Sequence, residues 1–397
     1  MLKLLHIILA AVALDAVGLG LMFPILPDLL RELTGSRDIT GIYGLTLALF
    51  ALMQFGFSPT LGTLSDRFGR RPVLLISIAG ATIDYLVMAF VPSLWVVLVG
   101  RAIAGLKSAN MAVATAYISD ISTGEERAKR FGQMGAFFGI GFIVGPALGG
   151  VLGQWWLHAP FLAAALLNGL NFCVAMFVLP ESRKPNGGRI ELASLNPLAP
   201  LRWVLGFRAL LPLIAIFFVL GLVGSVPGTV WVLYGQDRFH WDGITVGLSL
   251  TTFGLFMVGA QALVTGPATK WLGELRALVV SMFIDGAGMA LMAFATRGWM
   301  PFALAPFFAL GGIAQPAVQS LMSQQASEDR QGELQGVLAS VNSLTAIVGP
   351  VVGTAIYATT WDSFSGAVWL VGAALYLLAL PALAMHRRAS LTLQPAE

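Results

Sequence analysis

The chain has 397 residues, of which 57% are hydrophobic and only 11% charged, and its formal net charge is +3. Soluble domains are about 45–50% apolar and roughly 25% charged, so this chain has too little polar surface to remain a water-facing globule. A lipid bilayer is the solvent that suits it.

Apolar runs of about 20 residues, long enough to cross a hydrocarbon core of about 30 Å, recur along the whole length. The first, 4–25, contains Asp15 and has no small-residue cleavage site, which predicts a retained span and not a signal peptide. The second, 41–61, contains Gln54 and runs into the basic loop Gly62-Thr-Leu-Ser-Asp66-Arg67-Phe-Gly69-Arg70-Arg71-Pro72. The third, 73–91, holds Asp84, and the fourth, 94–118, holds Arg101 and Lys107. The fifth, 132–154, carries Gly139-Ile-Gly141-Phe-Ile-Val-Gly145-Pro146-Ala-Leu-Gly149-Gly150. Cys173 lies in the sixth, 159–180, as an expected packing residue that excludes any internal disulfide. The polar stretch 181–208 is the expected linker. Six further spans follow at 209–234, 244–266, 276–295, 299–323, 334–358 and 363–385, with Gln261 in the eighth and Asp285 in the ninth. Each must be helical, because lipid offers no partner to an open backbone N–H or C=O. The expectation is thus an all-α membrane protein of twelve transmembrane helices. Its units are 1–180, the linker 181–208, and 209–397 with a short tail.

Basic residues are unevenly placed. Of 23 Lys and Arg, 17 fall on one set of loops and 4 on the other, with Arg101 and Lys107 inside a span. That is the positive-inside bias of a membrane protein and puts both termini in the cytoplasm; it also removes the nucleic-acid reading that the positive charge invites. The halves resemble each other. Gly62 recurs as Gly266 and Gly145-Pro146 as Gly349-Pro350, each 204 residues on, while Glu126-Arg127 returns as Asp329-Arg330. Repeats of a six-helix unit are the architecture of alternating-access carriers.

Asp15, Asp84 and Asp285 each lie about nine to eleven residues into a span, or roughly 14–17 Å deep. A charge there costs at least about 3 kcal/mol, so such residues are functional by default, and a desolvated carboxylate is a usable proton carrier. The alternative for each is an ion pair with Arg101 or Lys107. His6, His158, His240 and His386 fall near span ends or in loops, which leaves proton handling to the carboxylates. Arg101 offers fixed donors to a carboxylate or polar ligand. Lys107 can lose its proton if buried; snorkelling or pairing is its other use. Three acids against two bases favour a cationic substrate. Gln54 and Gln261 suit a polar ligand, or serve as interhelical glue. Trp231, Trp241 and Trp299 are expected in the interfacial belt.

In the basic loop, two glycines permit a tight turn, and Asp66 is expected near a helix N-terminus, where the dipole favours an anion. Arg67, Arg70 and Arg71 then offer partners to Asp66 and to Asp120, as a latch holding one conformation; the plainer reading is a loop that only sets topology. In the fifth span, small residues at helical spacing let backbones approach, and Pro146 opens a local kink. Neither a phosphate-binding loop, a metal-ligand cluster nor a Ser/His/Asp set at one depth is present, so an enzyme reading has no motif behind it.

The latch loop resembles the signature of the major facilitator superfamily, and the fifth-span motif resembles that of its drug:proton antiporters. More narrowly, the chain resembles the twelve-span tetracycline efflux pumps of Gram-negative bacteria. The likeness rests on Leu14-Asp15-Ala16-Val17-Gly18, Leu49 to Phe55 (LFALMQF), Ser65 to Leu75 (SDRFGRRPVLL), Gly80 to Tyr85 (GATIDY), His158 to Asn171 (HAPFLAAALLNGLN), Val264 to Lys270 (VTGPATK) and Leu291 to Met300 (LMAFATRGWM). It implies two pseudo-symmetric six-helix bundles in the inner membrane, a monomer, and no cofactor held by the protein alone. The transport implied is export of a cationic magnesium–tetracycline chelate against an incoming proton, with the proton gradient as energy source. Asp15, Asp84, Asp285, Arg101, Gln54 and Gln261 are the core positions carried over, with Asp66, Arg70 and Asp120 at the latch. Two departures bear on the substrate. Met257 stands where the pumps usually carry a histidine, and Lys107 interrupts the small-residue stretch Gly105-Leu-Lys107-Ser-Ala-Asn110. Export of another amphipathic drug or metabolite is the alternative; a proton-symport importer conflicts with the fifth-span motif.

Overall fold

The computed structural model describes residues 2–107, 110–122, 124–182, 196, 210–325 and 330–392. Of the expected features, most of the linker 181–208, Asp329 and the side chains of Lys107, Asn110 and Arg127 lie outside the described residues.

The described elements are helices, as a backbone in lipid requires. The first half comprises α1 (Leu2–Met22), α2 (Leu26–Thr34), α3 (Thr40–Phe68), α4 (Arg70–Ala89), α5 (Leu94–Lys107), α6 (Asn110–Asp120), α7 (Gly124–Trp155) and α8 (Ala159–Val178). The second comprises α9 (Leu211–Phe239), α10 (Gly243–Gly259), a π-helical turn Ala260–Val264, α11 (Thr265–Leu272), α12 (Glu274–Ala293), α13 (Met300–Gly311), α14 (Ala314–Gln325), α15 (Gln331–Phe364), α16 (Ala367–Leu375), a 3₁₀ turn Tyr376–Leu378 and α17 (Ala379–Thr392). Among the described residues eleven helices are long and apolar enough to cross a membrane, and Leu94–Leu106 is a shorter apolar one. Pro59, Pro146, Pro306 and Pro350 sit inside helices without ending them. The helix α7 runs through Pro146 to Trp155.

Contacts divide the chain into two compact units, Met1–Pro197 with Trp241–Thr251, and Leu198–His240 with Thr252–Glu397. Pairing is alike in both. In the first unit α1 packs on α7 and α4 on α8; in the second α9 packs on α15 and α12 on α16. The first unit buries an aliphatic core around Ile8, Leu9, Leu74, Ile78 and Ile118, capped by Tyr117. The second buries an aromatic one, with Trp369 edge-on to Tyr234 and Trp231 at ring separations of 5.5 and 5.9 Å. Each such pair contributes about 0.5–1.5 kcal/mol beyond its burial. Trp231 and Trp241 are therefore core residues, not belt residues; Trp299 is exposed. Cys173 is likewise exposed and not a packing residue.

Large apolar side chains face outward all along these helices, among them Ile76, Leu166, Phe177, Leu263 and Phe283. In water so much apolar surface would drive aggregation; in a bilayer it is the lipid-facing side.

Candidate functional site

In the first unit, α4 and α5 bring Asp84 and Arg101 together. Arg101 Nη2 donates to Asp84 Oδ2 at 2.5 Å, with both side chains buried. Gly100 permits this approach, since a Cβ there would lie 3.1 Å from Asp84 Oδ1. Two charges taken out of water are tolerated only with such direct pairing, so Asp84 takes the ion-pair alternative. Asp15, on α1, is half-buried and lines a narrow cleft with Ile8, Ala11, Val12, Leu74, Ile78, Ala114 and Phe138. Tyr85 is within electrostatic reach of Asp15, Arg101 and Asp84, and its hydroxyl is 2.9 Å from where a Cβ on Gly18 would sit. Gln54 is half-buried on α3, where Gly105 of α5 comes close enough that a Cβ would meet Met53 Cβ at 2.8 Å.

In the second unit Asp285 lies on α12 and is 9% exposed. The hydroxyl of Tyr376, from the 3₁₀ turn, donates to its Oδ2. On the other side Gly311 of α13 presses so closely that an added Cβ would lie 2.6 Å from Asp285 Cγ and 2.7 Å from Oδ1. Gly312, next in the chain, meets Met257 of α10, whose Sδ is 2.6 Å from the equivalent position. The Gly311-Gly312 pair thus gathers Asp285 and Met257 around one stretch of backbone. Gln261 is exposed within the π turn, an irregularity that often marks functional positions in helices.

The latch is built mainly on Arg70, which is 6% exposed. Its Nη2 pairs with Asp66 at 2.6 Å, its Nε with Asp120 at 3.1 Å, and its Nη1 donates to Ser65 Oγ at 2.5 Å. Three details differ from the sequence-based expectation. Gly62 lies inside α3 with nothing within 4 Å of a Cβ, so only Gly69, at φ 100°, makes the turn. Asp66 falls in the last turn of α3, not at a helix N-terminus. The anion at the N-terminus of α4 is Glu181, which accepts the backbone N–H groups of Arg70 at 2.8 Å and Arg71 at 3.2 Å. Arg71 reaches the carbonyl of Met176 at 2.5 Å, and Arg67 lies over the ring of Phe68. Neither takes the expected place opposite Asp66 or Asp120. The second unit repeats the construction with neutral donors on its acid among the described residues. Gly273 makes the turn at φ 75°, and Glu274, 204 residues after Arg70, accepts from Gln324 at 2.7 Å and Ser320 at 2.6 Å.

The fifth-span glycines face α1. A Cβ on Gly141 would lie 2.8 Å from Ala16 Cβ, one on Gly145 would lie 2.7 Å from Val17 O, and one on Gly149 would lie 3.0 Å from Leu21 C. The Pro146 ring also faces α1, 2.8 Å from where a Cβ on Gly20 would sit. Its carbonyl and Gly150 meet the start of α10, where Cβ atoms on Gly247 and Gly150 would lie 3.1 Å from Pro146 C and 2.8 Å from Gly243 C. Gln154 closes this contact by donating to Asp242 at 2.8 Å.

Sequence comparison decides the family. A model described as Major Facilitator Superfamily matches residues 8–350 and again 213–396. The chain belongs to the Major Facilitator Superfamily.

Among its relatives, the tetracycline resistance protein, class C, of Escherichia coli is 52% identical, covering 96% of each chain. The class G tetracycline resistance protein of Vibrio anguillarum is 50% identical over 95% of this chain and 96% of its own. The crystal structure of the human organic anion transporter MFSD10 shares the fold, with a TM-score of 0.72 at 22% identity over 96% of this chain and 99% of its own. Glu181, Tyr376 and Asn168 are among the polar residues of the arrangement that were not singled out from the sequence. Glu181 falls in the polar stretch after the sixth span, Tyr376 is one tyrosine in an apolar span, and Asn168 is a fully buried amide beside Gly18 whose Nδ2 donates to the Ala164 carbonyl.

Proposed function

We propose that the protein is a proton-coupled antiporter that exports tetracycline across a bacterial inner membrane by alternating access, giving resistance to the antibiotic. One observation carries this reading. Asp285 is a carboxylate in an apolar span whose hydrogen-bond partner, among the described residues, is a neutral phenol. Asp84 has a fixed cation at hand; Asp285 can take up and release a proton. The near full-length relatives named for tetracycline resistance support the choice of drug.

In this reading the chain has twelve spans, with α5 and α6 forming the fourth, arranged as two pseudo-symmetric six-helix bundles, 1–180 and 209–397, joined by a cytoplasmic linker at 181–208. Both termini and the Arg70 latch are cytoplasmic, and the protein acts as a monomer in the bilayer. The cargo is a monovalent magnesium–tetracycline chelate, met by Gln54, Arg101, Lys107, Met257 and Gln261, with Asp15, Asp84 and Asp285 supplying one net negative charge over Arg101 and Lys107. Exchange of that cation for one proton moves no net charge, so the pH gradient drives it with about 1.4 kcal/mol per unit.

Drug-dependent proton flux in inverted vesicles is the test. Asp285→Asn is expected to abolish coupled uptake of tetracycline, and full coupling in that variant overturns the role of Asp285. A second reading is favoured by Met257, which leaves position 257 without an ionisable group: the exported compound is a different amphipathic drug or a metabolite. Growth inhibition across a drug panel, with and without magnesium for tetracycline itself, separates the two.

A further inference from the structure

Asp285 is held by a donor that an irregularity in the last span delivers. The helix α16 ends at Leu375, the chain tightens into a 3₁₀ turn over Tyr376–Leu378, and α17 resumes at Ala379. A 3₁₀ turn has three residues per turn in place of 3.6, so it resets which face the following residues present. Tyr376 sits at this step. Its ring packs against Gly286, where a Cβ would lie 3.5 Å from Cδ2, and its hydroxyl donates to Asp285 Oδ2. Gly311 closes the opposite side of the carboxyl. Asp285 is thereby clamped between a phenol and a glycine backbone, with Tyr376 itself only 9% exposed.

The chemistry of the partner separates this site from the Asp84–Arg101 pair. Arginine has donors only and stays charged, so it holds a carboxylate in its ionised form. A phenol can donate to a carboxylate and can also accept from a protonated carboxyl, so it keeps the side chain in place in both states. Of the helices packed on α12, α13, α14 and α16 contain no Asp, Glu, His, Lys, Arg, Tyr or Cys, and α11 carries only Lys270; Tyr234 of α9 donates to the carbonyl of Met292, seven residues beyond Asp285. Within α12 the nearest charged residue is Arg276, nine residues away, or about 13 Å along the axis; Glu274, at the start of α12, and Lys270 of α11 lie farther toward the same end.

We propose that Tyr376 is a positioning residue for Asp285, holding its carboxyl through both protonation states and setting the pH at which the exchange step runs. The proposal rests on the proton-coupled reading above and assigns the control of its proton step to a residue that does not itself carry the proton.

The test uses the full-length protein in proteoliposomes, with magnesium and tetracycline as the probe, and reads the pH profile of exchange for wild type, Tyr376→Phe and Asp285→Asn. Loss of the hydroxyl removes the donor that favours the ionised carboxylate, so the profile of Tyr376→Phe is expected to move to higher pH by about one unit, the effect of one charge-assisted hydrogen bond. Infrared difference spectra across a pH jump supply a readout that general loosening of the fold does not move. A carboxyl C=O band absent in Asp285→Asn should be displaced in Tyr376→Phe. Wild type labelled with ring-deuterated tyrosine gives the same answer without substitution, because its tyrosine C–O band should change with protonation of Asp285. An unmoved profile with an unmoved band, or a tyrosine band indifferent to the pH jump, overturns the role of Tyr376. Coupled exchange that survives in Asp285→Asn instead removes the proton-carrier reading, and is distinguishable because it makes no reference to Tyr376.

Discussion

Replacing Gly311 with alanine tests the clamp from its other side. The new methyl would sit 2.6 Å from Asp285 Cγ and 2.7 Å from Oδ1, about 1 Å inside the roughly 3.5 Å at which carbon atoms reach favourable contact. Asp285 is short, so its Cβ and carboxyl cannot swing clear as the end of a long side chain could; α12 and α13 must part or the carboxyl must leave Tyr376. Overpacking of this kind costs about 1–3 kcal/mol, while alanine in a helix recovers about 0.5–1 kcal/mol over glycine. The net expectation is a loss of about 1–2 kcal/mol. Gly224→Ala is the internal control, because no atom lies within 4 Å of its Cβ position and only the helix gain of about 0.5–1 kcal/mol remains. Unfolding in detergent, followed by tryptophan fluorescence, should therefore rank Gly224→Ala above wild type and Gly311→Ala below it. Transport by Gly311→Ala should fall about 10- to 100-fold, the scale on which a 1 Å misplacement of a reacting group acts. A Gly311→Ala protein as stable and as active as wild type would refute the reasoning.

Two further outcomes are expected at the ends of the first unit. Glu181→Gln keeps an acceptor for the N–H groups of Arg70 and Arg71 but removes the anion from the N-terminus of α4, so stability should drop by about 0.3–1 kcal/mol at low ionic strength and the difference should shrink with added salt; no loss at low salt contradicts it. Hydrogen bonds from Thr245 and Gln154 hold the carboxyl of Asp242 below the usual carboxylate range. The stabilisation from a depressed carboxylate is complete above its unfolded value, about 3.9, and is lost as pH falls through the folded one. The stability gap between wild type and Asp242→Asn should accordingly be flat from about pH 5 to 8 and close below about pH 4, and a gap that varies between pH 5 and 8 would count against it.

How much of this was legible in the residues themselves follows from the solvent. Hydrocarbon forces each apolar run into a helix and makes every ionisable residue within it conspicuous, so the spans and Asp15, Asp84, Asp285 and Arg101 stand out in one dimension. The latch loop and the 204-residue repeat are also written locally, in glycines and charges at fixed spacing. What the chain order cannot express is which side chain each carboxylate meets. Asp84 pairs with Arg101 across 17 residues, Arg71 reaches Glu181 across 110, and Tyr376 reaches Asp285 across 91. Those meetings depend on helix rotation, on a 3₁₀ turn of three residues, and on whether a glycine such as Gly311 lets two helices touch. Hydropathy is blind to all three, because rotating an apolar helix about its axis changes its neighbours and leaves its composition as it was. The residues alone therefore supplied the acids, and only the packed helices decided that one is locked to a cation while another faces a phenol.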